Sequence, residues 1–118
     1  MKRVRLWEGS RGTSSGYDAS SYEWLEVEAE SLGSWTEWLD DRGNRGVTYD
    51  VYRTAEGTII IHKVTWSRWS DERDYALIVE FATLEQAAEH YRRELENARI
   101  IERKVLSLDE WRQRKQNG

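Results

Sequence analysis

These 118 residues contain no cysteine and no proline. Without thiols there can be no disulfide, no thiolate zinc site and no cysteine nucleophile, which fits a reducing compartment. An average chain of this length carries about six prolines, so turns here rely on Gly, Asn and Asp. Phenylalanine occurs once, at Phe81, and the single methionine is the first residue. No stretch approaches the roughly 18 consecutive apolar residues that span a bilayer. The opening run Met1-Lys2-Arg3-Val4-Arg5-Leu6-Trp7-Glu8 lacks the apolar segment of a signal peptide. The expectation is a cytoplasmic protein with no membrane association.

Acidic side chains outnumber basic ones, 22 to 18. The net charge is −4 with 34% charged residues, a balance that argues against broad nucleic-acid binding. Aliphatic content is low, and 7 Trp with 6 Tyr make up for it. Each aromatic buries roughly 150–250 Å², so a few supply much of a core. The length suits one domain, residues 1–118.

Residues 3–7 suit a short first strand. Residues 9–21 are mostly Gly and Ser and read as a flexible loop; no Gly-Lys-Ser/Thr closes them into a phosphate loop. Residues 22–30 alternate as a strand, and residues 34–41 fit either strand or helix. The clearest alternation is Val47, Tyr49 and Val51 against Thr48, Asp50 and Tyr52. Ala55-Glu56-Gly57 turns the chain, residues 58–66 return it, and residues 74–81 add a further strand. Thr83 and Gln86 form a capping box for a helix over about 83–99. Its apolar stripe is Leu84, Ala87, Ala88, Tyr91, Leu95 and Ala98. Residues 100–106 suit a last strand, Ser107 and Glu110 cap a short C-terminal helix, and residues 112–118 are a polar tail expected to fray. The fold class is α+β: a mostly antiparallel sheet of five or six strands with the amphipathic helix packed on one face.

The segment Tyr49-Asp-Val-Tyr52-Arg-Thr54-Ala-Glu-Gly57 resembles a hairpin of small bacterial proteins of the EXLDI family. The motif that names that family is broken here, because Leu108-Asp109 align while Leu106 and Glu110 depart. Nothing of that family's properties is carried to this chain.

Four features bear on function. Histidine is the side-chain type suited to acid–base work near neutral pH, and the chain has two, His62 and His90. His62 has no His, Asp or Glu at i+2 on its strand, and His90 has only Glu94 at i+4 with Glu89 adjacent, so no metal and no cofactor is expected. His62 between Ile60 and Val64 reads first as structural; a nuclease-like site would join it to Arg53 or Lys63. From Asp18 to Asp41 carboxylates recur with no Lys or Arg. That pattern reads as a like-charged edge resisting aggregation, or as a dock for a basic partner. The pairs Trp35/Trp38 and Trp66/Trp69 have two residues between the rings, which in a strand sends them to opposite faces. Trp69 with Arg68 lies in a polar run and has hot-spot chemistry. The termini, with Lys2, Arg3, Arg5, Arg112, Arg114 and Lys115, are weakly basic.

Together these give an expected small intracellular protein-binding or regulatory module rather than an enzyme. Its candidate surface is Trp35, Trp38, Trp66, Arg68, Trp69, Arg53 and His62. A protein partner or self-association as a homodimer is expected; the alternatives are the small nuclease using His62 and a weak nucleic-acid binder.

Overall fold

The period-two alternation of the sequence builds most of the chain. The computed structural model describes residues 1–14, 17–18, 20–69, 71–103 and 107–117. In chain order the strands are β1 (Lys2–Arg11), β2 (Thr13–Ser14), β3 (Tyr17–Asp18), β4 (Ser21–Trp38), β5 (Arg45–Thr54), β6 (Ile59–Ser67) and β7 (Asp74–Phe81), followed by α1 (Leu84–Asn97) and α2 (Leu108–Asn117). The fold is α+β, with a five-stranded antiparallel sheet, a helix packed on it and a short C-terminal helix. The strands follow the order β1-β4-β5-β6-β7 and close into a barrel through β7 and β1, while β2 and β3 form a separate two-stranded pair among the described residues.

Four elements differ from the sequence pattern. Residues 22–30 and 34–38 belong to one strand, β4, which continues through a bulge between Ser31 and Gly33. Residues 34–41 are therefore strand to Trp38 and then turn, not helix. The Gly/Ser-rich run begins inside β1, whose last residues Gly9, Ser10 and Arg11 pair with β7. Residues 100–103 are not strand, and Lys104, Val105 and Leu106 lie outside the described residues. At the C-terminus, α2 runs on through Asn117.

Closure imposes a geometric demand. Five strands in consecutive antiparallel order leave the first and last running the same way, yet β1 and β7 meet antiparallel at Gly9–Ala76, Ser10–Tyr75 and Arg11–Asp74. The chain must bend beyond the ordinary twist of about 20–25° per strand pair. Two glycines sit at the bends, Gly9 at φ 127° and Gly33 at φ 148°, in a region side-chain-bearing residues rarely adopt.

Strand alternation then sorts the side chains. Val47, Tyr49 and Val51 of β5 and Ile59 and Ile61 of β6 face α1 and pack against Ala87, Ala88 and Leu95. The opposite face, inside the barrel, carries Ile60 and His62, enclosed with Leu6, Ala29 and Ala76. A fully buried Ile or Leu contributes roughly 1.5–3 kcal/mol, so Ile59, Ile60, Ile61 and Leu95 anchor both layers.

The helix is capped at both ends. The Thr83 side chain accepts from the Gln86 N–H at 3.1 Å, and the Gln86 side chain accepts from the Ala82 N–H at 3.2 Å. At the other end Ile100 N–H donates to Leu95 C=O and Arg99 N–H to Glu96 C=O, with Arg99 at φ 60°. This is a Schellman closure with arginine in the place usually held by glycine. It turns Ile100 back onto the core.

Gly9→Ala is expected to destabilise the fold well beyond Gly57→Ala. Both positions have positive φ, and that strain costs about 1–3 kcal/mol. A Cβ at Gly9 would also lie 2.2 Å from the Ser21 carbonyl oxygen, whereas one at Gly57 meets nothing within 4 Å. Urea denaturation of the two variants measures the difference.

Candidate functional site

Trp35, Trp38, Trp66, Arg68, Trp69, Arg53 and His62 fall in three separate places. Trp35 points to the helix side, stacked on Tyr49 at 5.8 Å with the Arg93 guanidinium above it. Arg53 lies on that same side of β5, 3.7 Å from the Glu30 carboxylate. His62 is buried inside the barrel. Trp38, Trp66, Arg68 and Trp69 gather at the end of the barrel where the β4–β5 and β6–β7 connections meet.

At that end the Trp38 and Trp66 rings meet edge to face, centroids 5.5 Å apart, and Arg68 lies 5.8 Å from the Trp66 ring. Trp66 Nε1 donates to Thr48 Oγ1 at 3.0 Å, and Thr48 shares a second hydrogen bond with Thr36. Gly46 makes room for the Trp66 ring, since a Cβ there would come within 2.5 Å of a ring carbon. Trp38 and Trp69 remain 56% and 50% exposed. Each tryptophan pair thus has one inner and one outer ring. For Trp35 and Trp38 this is the opposite-face placement their strand spacing implies.

The two connections are cross-tied. Asp40 Oδ1 accepts from the Asn44 N–H at 2.8 Å, and Leu39 N–H donates to the Arg45 carbonyl at 3.0 Å. Arg68 N–H donates to the Asn44 carbonyl at 2.8 Å. The Arg45 guanidinium is bonded to the Glu72 carboxylate, and Ser67 N–H donates to Asp74 Oδ1 at 2.9 Å.

Inside the barrel His62 stands opposite Asp50 across the β5–β6 pair. Its Nε2 is 2.7 Å from the Trp7 carbonyl oxygen. That oxygen can only accept, so Nε2 carries the proton in this arrangement. Burial raises the Asp50 carboxyl pKa, with His62 opposing. Burial also raises the Tyr52 phenol, and Asp50 adds to it. Arg53 and Lys63, adjacent in sequence to Tyr52 and His62, project from the other face, and Lys63 lies over the Tyr49 ring. The geometry therefore does not bring His62 together with either cation. His90 is stacked on Phe81 at 5.5 Å on the helix side. Among the described residues no three His, Asp or Glu groups are placed to hold a metal ion.

A second aromatic group escaped the sequence reading. Trp7, Tyr22 and Trp24 meet edge to face at 6.0 and 5.8 Å. The Arg5 guanidinium sits 4.0 Å over Trp24, and Arg11 lies 5.0–5.8 Å from all three rings. The β1–β4 register creates the group by setting Trp7 opposite Trp24 and Gly9 opposite Tyr22. The signal available in sequence was alternation on both arms, Arg3-Arg5-Trp7 on one and Tyr22-Trp24-Glu26 on the other.

Comparison with protein-family models, with curated proteins and with solved structures finds no match.

Two measurements probe the interior. His62→Ala is expected to cost about 1–3 kcal/mol by leaving the Trp7 carbonyl without its donor, read by denaturant unfolding. Asp50→Asn is expected to raise the melting temperature at pH 7. A raised carboxyl pKa means the folded state favours the protonated acid. Its stabilising effect is present below the ordinary Asp range and is lost as pH rises through the raised value. The gain from Asn should therefore shrink toward pH 4, and a gain independent of pH would refute the assignment.

Proposed function

We propose that the chain is a small intracellular protein-binding module that docks a partner through Trp38, Trp66, Arg68 and Trp69. The observation that supports this most is that Trp38 and Trp69 stand half exposed on connections already fixed by cross-ties. Holding a large side chain in place before contact removes much of the ordering cost of binding. Tryptophan and arginine are also the residues most enriched at the energetic centres of interfaces. Leu39, 54% exposed beside Trp38, widens the apolar area.

The nuclease-like alternative finds no support, because His62 and the cations Arg53 and Lys63 lie on opposite faces. The nucleic-acid alternative draws its support from the ring cluster of Trp7, Tyr22 and Trp24, since bases stack on exposed aromatics. The guanidiniums of Arg5 and Arg11 already lie on those rings, which weakens it. The expected signature of that alternative is oligonucleotide affinity falling steeply with salt.

A photo-reactive residue in place of Leu39 should cross-link a specific protein, and Trp38→Ala with Trp69→Ala should weaken that partner's affinity by about thirtyfold or more, the loss of a single hot-spot residue. Calorimetry with the purified partner measures it. An unchanged affinity in the double variant would remove the reading; a cross-link to a second copy would identify the partner as the chain itself.

A further inference from the structure

We propose that the outer edge of β4, residues 22–28, takes up an extended basic segment of a partner protein as an added strand. This surface lies at the far end of β4 from Trp38, so the inference goes beyond the docking role of the tryptophan end.

The edge is open because β4 is much longer than its neighbours. β5 pairs with it from Ala29 to Trp38, and β1 pairs with the other side from Ser21 to Ala29. The Glu28 carbonyl accepts from the Ala55 N–H at 3.0 Å and marks where cover ends. In a strand, backbone groups alternate between the two edges. The β1–β4 register runs unbroken through this stretch. The N–H and C=O groups of Tyr22, Trp24 and Glu26 therefore point the same way as the Glu28 carbonyl. No described backbone group pairs with them. Such a row is a template for strand addition.

The side chains define what would add. Glu30, Glu37, Glu72 and Glu96 are each ion-paired with an arginine. Glu23, Glu26 and Glu28 on the open stretch, and Glu56 and Glu80 at its end, have no ion pair among the described residues. Arg5 stands opposite Glu26 in register but lies over the Trp24 ring instead. A cavity of about 300 Å³ is lined by Glu26, Glu28, Glu56 and Glu80 together with Thr54 and Thr58. A second copy of this edge would bring like charges together. A strand with Lys or Arg at alternate positions would set its cations beside Glu26 and Glu28, which share one face two residues apart. Tyr22 and Trp24, 38% and 43% exposed, extend that face for an apolar neighbour.

The test uses the full chain and a synthetic peptide alternating lysine and valine, about nine residues long, the length of an ordinary strand. A second peptide has the same sequence with alternate backbone nitrogens methylated. The first should bind with slowed hydrogen exchange at the amides of Tyr22, Trp24 and Glu26. Glu26→Lys with Glu28→Lys should weaken it by about tenfold or more, and the methylated peptide should bind at least as poorly. Equal binding of the two peptides would show charge attraction without strand pairing and overturn the proposal. Absence of binding at about 1 mM, or exchange protection elsewhere, would overturn it too. Trp38→Ala with Trp69→Ala should leave this binding unchanged, so the two readings stand or fall separately.

Discussion

The barrel depends on how its last seam is held. β1 and β7 share three residue pairs and then part. Continuing the Gly9–Ala76 register would set Trp7 opposite Ile78. Instead the Trp7 carbonyl faces Nε2 of His62, and the Ile78 N–H donates to Glu8 Oε2 at 2.9 Å. Two side chains from different strands thus satisfy backbone groups that a longer ladder would have paired. Unpaired backbone polar groups away from water cost about as much as a lost hydrogen bond. His62 is therefore accounted for as a structural residue, one that lets an odd number of antiparallel strands close.

This also explains why the histidine with the most suggestive sequence setting carries no visible chemistry. It is buried between Ile60 and Val64 in the strand, with Asp50 opposite and its ring engaged by a main-chain oxygen. Its proton on Nε2 holds the seam. A general base needs that position free to reach a substrate, and the cations that would assist it project from the far side of the sheet.

Much of the fold was legible because local periods and global packing agree from Val47 to Asn97. The alternation of β5 survives folding unchanged, and the capping residues of α1 act as their types suggest. Legibility failed where glycine and serine have two meanings. The run from Gly9 reads as a loop by composition, yet its first residues make the seam, because a sharp bend in a strand needs the same residue types as a loop. Gly33 likewise reads as a break between two strands and is a bulge within one. The ring cluster of Trp7, Tyr22 and Trp24 was hidden for a related reason. It depends on a register between arms separated by the Gly/Ser run, and register is a tertiary property. For Trp35 and Trp38 the strand spacing put the two rings on opposite faces, but which ring faced out was set by α1, which covers Trp35 and leaves Trp38 free.

The length of β4 links the seam to both candidate surfaces. Closing the barrel required a bend, and β4 spans it: from Ser21 to Ala29 it pairs with β1, and from Ala29 onward, through the bulge before Gly33, it pairs with β5. The stretch paired with β5 ends in Trp38, where glycines and cross-tied connections hold rings outward. The stretch paired with β1 is left with an open backbone edge, where the exposed side chains include Glu23, Glu26 and Glu28, with no ion pair among the described residues, beside Tyr22, Trp24 and Leu25. An open edge invites self-association unless charge opposes it. Glu23, Glu26 and Glu28 fall where that protection is needed, and under the proposed strand addition the same charge favours a basic segment over a second copy.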